Sequence, residues 1–581
     1  MPRCTKVLRL ALFFTFISSS VITIPCAVAQ VKPLAQTKSQ PDHSPLISEL
    51  REKIPQMMAQ KNFPGLAVAL IDGEKLVWAE GFGFTDKSKK AKVTADTLFS
   101  LQSVSKTCTA TGFLIAATKG WLKLDDPLKK YMPAFTVKSR FGADGVNKIT
   151  FRHLLSHRAG LTHEAPVGNN SDDCACTFEE HIKSVSDTWL VAPVGELYRY
   201  SNLGIDLAGH ALGIRSRKSF EQFMKDELFT PLGMSSSTFD QKEALQHPSF
   251  AKGHVAGREL PNTFIPMIPA GGMYSNVKDM ARFVSFHLAG GKVKGKRLIA
   301  ENFLKEMYTP QFAATKDEIY GYGLGIGAEI WKGITILQHG GGGYGYNSYL
   351  SWLPEYQIGV VVLANAWRLT DNLPWEISDK ALAMMTQAKH GPALTDKPLA
   401  RSGVPIVSLQ AEQLRRLEGT YSHRAGSVVT FKVEEGVLFY IQGGSKVKLN
   451  AHSATEFTSN IQTFNFHLDR TGKVTGVLVQ GWRNVGIFAL INDHPDDPSG
   501  PNRPEWQSYV GEYTGNLFGT GFPWRATVSI KNGYLYVKRE GWLKLTEYEP
   551  GLFFSSDGES VRFHGDRMSS ANQPFVKNMN N

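Results

Sequence analysis

The chain has 581 residues, of which 42% are hydrophobic, 11% aromatic and 20% charged, with 54 glycines and 29 prolines. This composition excludes a disordered, collagen-like or coiled-coil protein, and at about 150 residues per domain it predicts three or four globular domains. The formal net charge of +11 is mild for this length, and the basic residues form only short clusters rather than a stripe. We therefore expect no nucleic-acid partner.

The first 29 residues have the order of a secretory signal peptide. A basic stretch precedes an apolar run over 10–24, and Ala27-Val28-Ala29 supplies the small residues of a cleavage site. The apolar run is too short for a comfortable membrane span. We predict that residues 1–29 are removed and that the protein is secreted or periplasmic, without a membrane span. A lipid anchor at Cys26 is the weaker alternative, because Pro25 suits a lipoprotein cleavage site poorly.

Strand patterns stand at both ends of a long region, residues 30–388, and helical patterns lie between them. The predicted elements are a helix over 46–58, strands over 66–71 and 75–79, helices from 103 and from 202, and strands over 335–338, 349–353 and 358–364. Asp72-Gly73 between the first two strands is a hairpin signal. This order predicts an α+β layer fold whose antiparallel sheet is closed by the two ends of the region.

The sequence changes character after a linker at about 389–404. Short alternating strands follow, punctuated by Gly, Asn and Asp, with little helical periodicity. Gly419-Thr-Tyr421 recurs as Gly511-Glu-Tyr513, and similar strand patterns follow each copy. We predict two small antiparallel β-barrel domains, over 405–498 and 504–581.

Three cysteines remain after the leader, Cys108, Cys174 and Cys176, which is too few for a disulfide scaffold. Acidic and histidine residues near Cys174-Ala-Cys176 raise the alternative of a zinc site; they are Asp172, Asp173, His163 and His181. The two cysteines are spaced too closely for a usual zinc site, and no second pair exists. We favour a loop disulfide or free thiols, and expect no metal.

Ser103-x-x-Lys106 is the most informative motif. The two side chains lie one helical turn apart on one face, at a helix N-terminus whose N–H groups could stabilise an oxyanion. Residues 107–118 carry no charge, which predicts a helix buried all round and a lysine deprived of water, able to serve as the base that a serine nucleophile needs. Ser-x-x-Lys also occurs at Ser249, Ser275 and Ser445. None of those three heads an uncharged helix.

Two further motifs supply complementary groups. Tyr200-Ser201-Asn202 offers a phenol that could relay a proton to the leaving group and an amide that could orient lysine and substrate. His339-Gly340-Gly341-Gly342 follows a predicted strand, and its glycines would let a substrate approach the backbone closely. An amide N–H there could complete an oxyanion hole with that of Ser103.

Together these motifs resemble those of the penicillin-recognising serine hydrolases, which include class C β-lactamases, DD-peptidases, related esterases and D-aminopeptidases. The resemblance covers residues of about 45–385 and extends to shorter signatures at 124–127, 154–161, 231–234 and 270–275. It implies a cleft between a helical subdomain and an antiparallel sheet. The two C-terminal modules are similar to the lipocalin-like modules of the D-aminopeptidase branch.

The resemblance also implies roles for single residues. Ser103 would be the acylated nucleophile, and Lys106 and Tyr200 would share the proton transfers. Asn202 would hold the substrate amide, and His339 would line the opposite wall. The Gly341-Gly342 backbone would lie beside the nucleophile, where the N–H of Gly342 would join that of Ser103 at the oxyanion. No metal or organic cofactor is implied.

His339 stands where many members of this family have a lysine. A neutral imidazole attracts a substrate carboxylate far less than a permanent cation does, which disfavours efficient β-lactamase or carboxypeptidase activity. We expect a peptidase or amidase acting on short D-amino-acid-containing or cell-wall-derived peptides. An esterase of small acyl esters is the first alternative and a β-lactamase the second. A non-catalytic penicillin-binding sensor is the least favoured, and a homodimer is left open.

Overall fold

The computed structural model describes residues 41–578 with gaps. The gaps are 172–175, 263, 312–320, 332–333, 368–371, 392–405, 424–427, 443–444, 460–461, 469–471, 482–484, 491–499, 518–521, 539–541 and 556–557. The predicted leader, most of the linker and Cys174 lie outside the described residues. The predicted domain boundaries stay predictions.

The helices follow the apolar patterning of the sequence. In chain order they are α1 (Ser44–Lys61), α2 (Ser105–Thr118), α3 (Phe151–Leu155), α4 (Phe178–Ser184), α5 (Asn202–Ser216), α6 (Phe220–Met224), α7 (Thr230–Leu232), α8 (Gln241–Leu245), α9 (Ile268–Gly271), α10 (Val277–Leu288), α11 (Glu301–Tyr308), α12 (Leu373–His390) and α13 (Ala411–Arg415). Of the helices in the described part of the chain, none is both long and apolar enough to cross a bilayer.

The strands that precede the linker form one large antiparallel sheet and three small ones. They are β1 (Gly65–Asp72), β2 (Lys75–Gly83), β3 (Phe99–Ser100), β4 (His254–Val255), β5 (Arg258–Glu259), β6 (Tyr274–Ser275), β7 (Lys292–Val293), β8 (Lys296–Arg297), β9 (Gly321–Tyr322), β10 (Gly327–Trp331), β11 (Ile334–Gly343), β12 (Tyr346–Leu353), β13 (Ile358–Ala364) and β14 (Ala366–Trp367). The large sheet has the order β2-β1-β13-β12-β11-β10-β9. Strand β1 pairs with β13 from Leu66↔Ala364 to Asp72↔Ile358, which confirms the predicted closure by the two ends of the region.

The large sheet is covered on both faces, so its central strands are buried. Helices α1 and α12 pack together on one face, in a core with β1 and β13. Helix α10 covers the other face, and beyond it α2, α3, α5 and α9 pack into a helical subdomain. Every residue from Ser105 to Ala117 of α2 is buried, as its uncharged sequence predicts.

The glycine run after His339 is the main departure from the predicted elements. It was expected to end the strand, yet β11 continues through Gly343 and the turn to β12 lies at Tyr344-Gly345. Gly341 pairs with Ser348 of β12 and lies against the backbone of Leu101. A strand can approach another backbone this closely only where it has no side chain, so the glycines here serve packing rather than a turn.

The first C-terminal module is a nine-stranded antiparallel sheet. Its strands are β15 (Gly419–His423), β16 (Val428–Glu434), β17 (Val437–Gln442), β18 (Ser445–Lys448), β19 (Asn450–Ala451), β20 (Glu456–Thr458), β21 (Gln462–Leu468), β22 (Val474–Gly481) and β23 (Val485–Leu490), in the order β18-β17-β16-β15-β23-β22-β21-β20-β19. The two edge strands, β18 and β19, are joined through Leu449 alone. The sheet must therefore curl until its edges lie side by side.

The second module is a closed eight-stranded barrel. It consists of β24 (Gly511–Leu517), β25 (Phe522–Lys531), β26 (Tyr534–Lys538), β27 (Trp542–Glu549), β28 (Leu552–Ser555), β29 (Ser560–His564), β30 (Arg567–Ser570) and β31 (Gln573–Lys577), and β24 pairs with β31 to close it. The sequence repeat has a structural counterpart, because the buried Tyr421 and Tyr513 each donate a hydroxyl hydrogen bond to the carbonyl four residues earlier, at 2.8 and 2.9 Å.

Candidate active site

Ser103 lies in a single 3₁₀ turn, Gln102–Val104, that leads directly into α2. Its side chain is partly exposed, whereas Lys106 one turn later is completely buried. The Lys106 Nζ donates to Ser103 Oγ at 3.0 Å and to the carbonyl oxygen of Ala270 at 2.9 Å. The predicted pair is therefore formed, with a partly exposed hydroxyl and a buried amine.

The backbone before Ser103 adopts an uncommon conformation. Gln102 has a φ of 52°, in the left-handed region that non-glycine residues rarely occupy, and its side-chain amide donates to Ser100 Oγ at 2.8 Å. Such conformations cost about 1–3 kcal/mol and cluster at functional sites. The kink places the Ser103 hydroxyl ahead of the first turn of α2.

Buried threonines along α2 keep their hydroxyls satisfied without water. Thr107 donates to the Gly325 carbonyl at 2.7 Å and Thr109 to that of Pro269 at 2.8 Å. Because buried hydroxyls need partners, these bonds fix α2 to the Tyr322–Gly325 region and to α9. The helix that carries Lys106 is thus held from two sides.

Tyr200 lies directly beside the buried lysine. Its ring centroid is 4.9 Å from Lys106 Nζ, and its ring packs against the imidazoles of His157 at 4.3 Å and His163 at 5.6 Å. The backbone around it is held by the His157 segment, since Arg199 N donates to His157 O and Ser201 N to His157 Nδ1. The Tyr200 ring therefore lies next to Lys106, although it comes from a separate part of the chain.

Asn202 is the first residue of α5, and Ser201 caps that helix by accepting from Gly204 N. The Asn202 Nδ2 donates to Glu164 Oε1 at 3.1 Å and lies 3.4 Å from Met267 Sδ. Glu164 is only 1% exposed, and its Oε1 also accepts from Asn170 and contacts His163 Nδ1 at 2.6 Å. The amide that the sequence places at the cleft is thus oriented by a buried carboxylate.

His339 forms part of the opposite wall as a neutral imidazole. Its Nδ1 donates to the Gly340 carbonyl at 2.7 Å, and its Nε2 accepts from the Tyr322 hydroxyl at 2.8 Å. Burial, reinforced by the positive charge of Lys106, lowers the pKa of His339 to about 3. The imidazole therefore carries no charge near neutrality, as the sequence predicts.

Gly341 and Gly342 extend this wall beside the nucleophile. A Cβ at Gly341 would overlap the Leu101 carbonyl and Ser348 Oγ, and would lie 3.0 Å from the backbone nitrogen of Ser103. Gly342 is exposed, next to the Trp367 indole. Strand β11 thus brings its backbone against the turn that carries Ser103.

Three features of the candidate site were not predicted from the sequence. Tyr322 packs between Tyr200 and His339, and burial raises its pKa well above the usual value. Its only signal is the glycine-rich run 321–325, which indicates close backbone packing. Glu164, three residues after the 154–161 signature, gave no periodic signal.

The third unpredicted feature is a buried pair behind Lys106, Asp206 and His181. Their side chains meet at 3.2 Å, and Asp206 Oδ1 accepts from Ala270 N at 2.9 Å. Burial raises the pKa of Asp206, and burial alone would lower that of His181, but the neighbouring carboxylate raises it overall. The pair fixes the Ala270 residue whose carbonyl accepts from Lys106.

The cysteine-rich loop agrees with the favoured alternative to a zinc site. Cys176 is disulfide-bonded, and Cys108 is a buried free thiol. His181 already contacts Asp206 Oδ2 and the Val167 carbonyl with its two ring nitrogens. The other members of the imagined zinc set, Asp172, Asp173 and Cys174, lie outside the described residues.

Several known proteins are similar to this chain in sequence. A "Beta-lactamase-like protein 2" of Dictyostelium discoideum is 24% identical over 344 residues, covering 57% of this chain and 61% of its own length. The "D-alanyl-D-alanine-carboxypeptidase/endopeptidase AmpH" of Escherichia coli is 27% identical over 319 residues, covering 53% of this chain and 80% of its own length. This chain thus spans less than two thirds of the Dictyostelium relative.

The same fold occurs in a solved structure. An octameric penicillin-binding protein homologue from Pyrococcus abyssi is similar over 76% of this chain and 99% of its own, with 23% identity and a TM-score of 0.52. Residues 50–381, more than half of the chain, match the family described as Beta-lactamase. The chain therefore belongs to the Beta-lactamase family.

Proposed function

We propose that this protein hydrolyses amide bonds through an acyl-enzyme formed on Ser103. The observation that carries the proposal is the 3.0 Å hydrogen bond between the partly exposed Ser103 Oγ and the fully buried Lys106 Nζ. In the first step the hydroxyl oxygen attacks the substrate carbonyl while its proton passes to the Lys106–Tyr200 pair, one member of which must be in its unprotonated form. The same pair returns a proton to the departing amine.

Deacylation repeats these steps with water. The pair takes a proton from a water molecule that attacks the ester of Ser103, and then restores the serine proton as the acid leaves. The tetrahedral oxyanion of both steps would accept from the N–H groups of Ser103 and Gly342, on the two sides of the cleft. The glycine at 341 supports this arrangement, because a side chain there would push β11 away from Ser103.

The polar groups of the cleft favour substrates that present N–H donors. The Nδ2 of Asn202 is engaged by Glu164, so this amide can offer a substrate its oxygen, which accepts from an amide or ammonium N–H. The neutral His339 lacks the fixed positive charge that would attract a substrate carboxylate. We therefore propose short peptides or aminoacyl amides as substrates, those with D-amino acids or from cell-wall fragments in particular.

The name of the AmpH relative includes an endopeptidase activity, which supports a peptidase. The signal-like order of residues 1–29 supports action outside the cytoplasm. A homodimer stays a prediction from the sequence.

Intact-mass spectrometry tests the proposal. Wild-type protein and Ser103→Ala are exposed to D- and L-aminoacyl amides, short nitrophenyl esters, a chromogenic cephalosporin and a fluorophosphonate. We expect an adduct on the wild type alone, with D-aminoacyl amides turned over faster than the esters or the cephalosporin. Preferred turnover of esters or of the cephalosporin would identify an esterase or a β-lactamase. A wild type that no reagent modifies would contradict catalysis and favour a sensor.

A further inference from the structure

The second barrel contacts the catalytic domain beside the active site. The hairpin between β30 and β31 turns at Ala571 and Asn572, whose φ angles of 53° and 64° are both left-handed. The two protons of Asn572 Nδ2 are donated to the Glu164 carbonyl at 2.8 Å and to Thr188 Oγ1 at 2.6 Å. In return, Asn169 Nδ2 donates to the Asn572 carbonyl at 3.2 Å. One hairpin tip thus holds the backbone of Glu164 and, later in the chain, Asn169 and Thr188.

A second contact comes from the loop between β28 and β29. The buried carboxylate of Glu559 accepts a hydrogen bond from the Thr162 hydroxyl. Gly558 just before it has a φ of 91°, and a Cβ there would overlap the Val191 carbonyl oxygen. Gly558 and Glu559 therefore lie flush against the catalytic domain, and any side chain at 558 would force the two apart.

Aromatic packing supports the same interface. Trp189 packs edge-on against Tyr548 and Phe554 of the barrel, each with ring centroids 5.3 Å apart. The Arg140 guanidinium lies 4.3 Å above the Phe554 ring, and burial lowers its pKa. A stacked, desolvated arginine with aromatic partners is typical of a stable interface rather than a passing contact.

Both barrel contacts lead to Asn202 through short chains of hydrogen bonds. Asn572 holds the backbone of Glu164, and Glu164 accepts from Asn202 Nδ2. Glu559 holds the side chain of Thr162, and the Thr162 carbonyl accepts at 2.6 Å from Ser201 Oγ, which caps the helix that starts with Asn202. Two independent routes from one barrel therefore converge on one substrate-binding side chain.

We propose that the second barrel is a positioning element of the active site, in which Asn572 and Glu559 hold Glu164 and Asn202 in place for the substrate amide. The inference rests on the proposed function, because it assigns Asn202 to substrate binding. It predicts that loss of the barrel contact affects some reactions of the active site and not others. Substrates that need Asn202 depend on the barrel contact, whereas reactions that need only the Ser103 hydroxyl and its base do not.

Asn572→Gly in the full chain is the sharpest variant, since glycine keeps the left-handed turn and removes only the amide side chain. Asn532→Gly is the matched control: Asn532 has a φ of 44° in the hairpin between β25 and β26 of the same barrel and is exposed. The two probes are D-alanyl-p-nitroanilide, or whichever reagent of the panel the wild type turns over, and a small fluorophosphonate that labels Ser103.

We expect Asn572→Gly to lower kcat/KM for the anilide by about tenfold or more, because small displacements of a positioning group are costly to reactivity. The rate of fluorophosphonate labelling should change less than twofold, and Asn532→Gly should behave as wild type with both probes. Equal losses with both probes, or no loss with either, would overturn the positioning role. Thr162→Val, which removes the hydroxyl bound by Glu559, gives the same comparison if Asn572→Gly fails to fold.

Hydrogen–deuterium exchange supplies a readout that is independent of catalysis. Peptides covering residues 158–170 and 199–206 should exchange faster in Asn572→Gly than in Asn532→Gly or the wild type. Unchanged exchange there would contradict the inference even if activity were lost. A wild type that the fluorophosphonate leaves unlabelled would instead contradict the proposed function, while the exchange result would still decide the role of the barrel.

Discussion

The two walls of the cleft are built on opposite principles. The helical wall carries its chemistry in side chains, and the Ser103–Lys106 pair follows from one turn of the uncharged helix α2. The sheet wall depends instead on two absences in β11. Gly341 and Gly342 have no side chains, and His339 carries no charge near neutral pH. A helix can present two reactive groups by local spacing alone, whereas a strand must be brought to them by the rest of the fold.

Among the substitutions considered, Lys106→Met on the helical wall is expected to have the largest effect on activity. The side chain stays long and apolar in a site that is already fully buried, but the base is lost, so we expect kcat to fall by about 10³- to 10⁴-fold. Lys278→Met is the matched control, since Ser275-x-x-Lys278 has the same spacing and Lys278 pairs with Asp96 at the surface. Steady-state kinetics would contradict the assignment if both variants kept wild-type kcat.

Gly341→Ala tests the sheet wall by changing the position of β11. The added Cβ would overlap the Leu101 carbonyl and force β11 away from Ser103, so we expect kcat to fall by about 10²-fold, the cost of one lost oxyanion donor. Gly340→Ala, whose Cβ would meet the Tyr349 ring at 3.4 Å, should retain activity. Similar losses in the two variants would show that β11 is merely intolerant of substitution, and would leave no special role for Gly341.

The neutral charge state of His339, on the sheet wall, predicts how the stability of the protein depends on pH. Its pKa is about 3 in the folded protein against 6.5 in the unfolded chain, so between these values the unfolded chain binds one more proton. His339 therefore does not lower the free energy of unfolding above pH 6.5. As the pH drops from 6.5 towards 3 it lowers this free energy progressively, by about 2 kcal/mol at pH 5. His339→Gln should remove this part of the acid destabilisation in urea titrations at pH 7 and pH 5.

His287 provides the background for that measurement. It is also buried with a pKa of about 3, so it contributes the same pH dependence to wild type and variant alike. The loss between pH 7 and pH 5 should therefore be smaller in His339→Gln without vanishing. Identical losses in wild type and variant would mean that His339 is not held neutral by the fold.

Tyr322→Phe is expected to have the smallest effect. It removes the hydroxyl that donates to His339 Nε2 and should cost about 1–2 kcal/mol of stability, with a few-fold change in KM. Tyr308→Phe is the matched control, because the Tyr308 hydroxyl meets His287 Nδ1 at 2.7 Å away from the cleft. Equal denaturation midpoints with a KM change only in Tyr322→Phe would support its place in the site. A KM change in both would oppose it.

Much of the catalytic fold was predictable because its signals are local. The hairpin at Asp72-Gly73 and the burial of α2 follow from turn chemistry and from an absence of charge, and both are observed. The end of β11 was predicted wrongly, since a glycine run indicates a turn unless another backbone lies against it. That backbone, at Leu101, is more than 230 residues away in the sequence.

The sequence by itself determined that Ser103 and a buried Lys106 lie side by side, because the two residues share one helical turn and the uncharged residues after them require burial. Only the tertiary structure decided what surrounds this pair. Glu164, Tyr322 and Asn572 come from distant segments, carry no periodic signal, and acquire their roles through hydrogen bonds across the fold. Local spacing can specify a reactive pair, whereas the groups that orient a substrate depend on which segments of the chain are brought into contact.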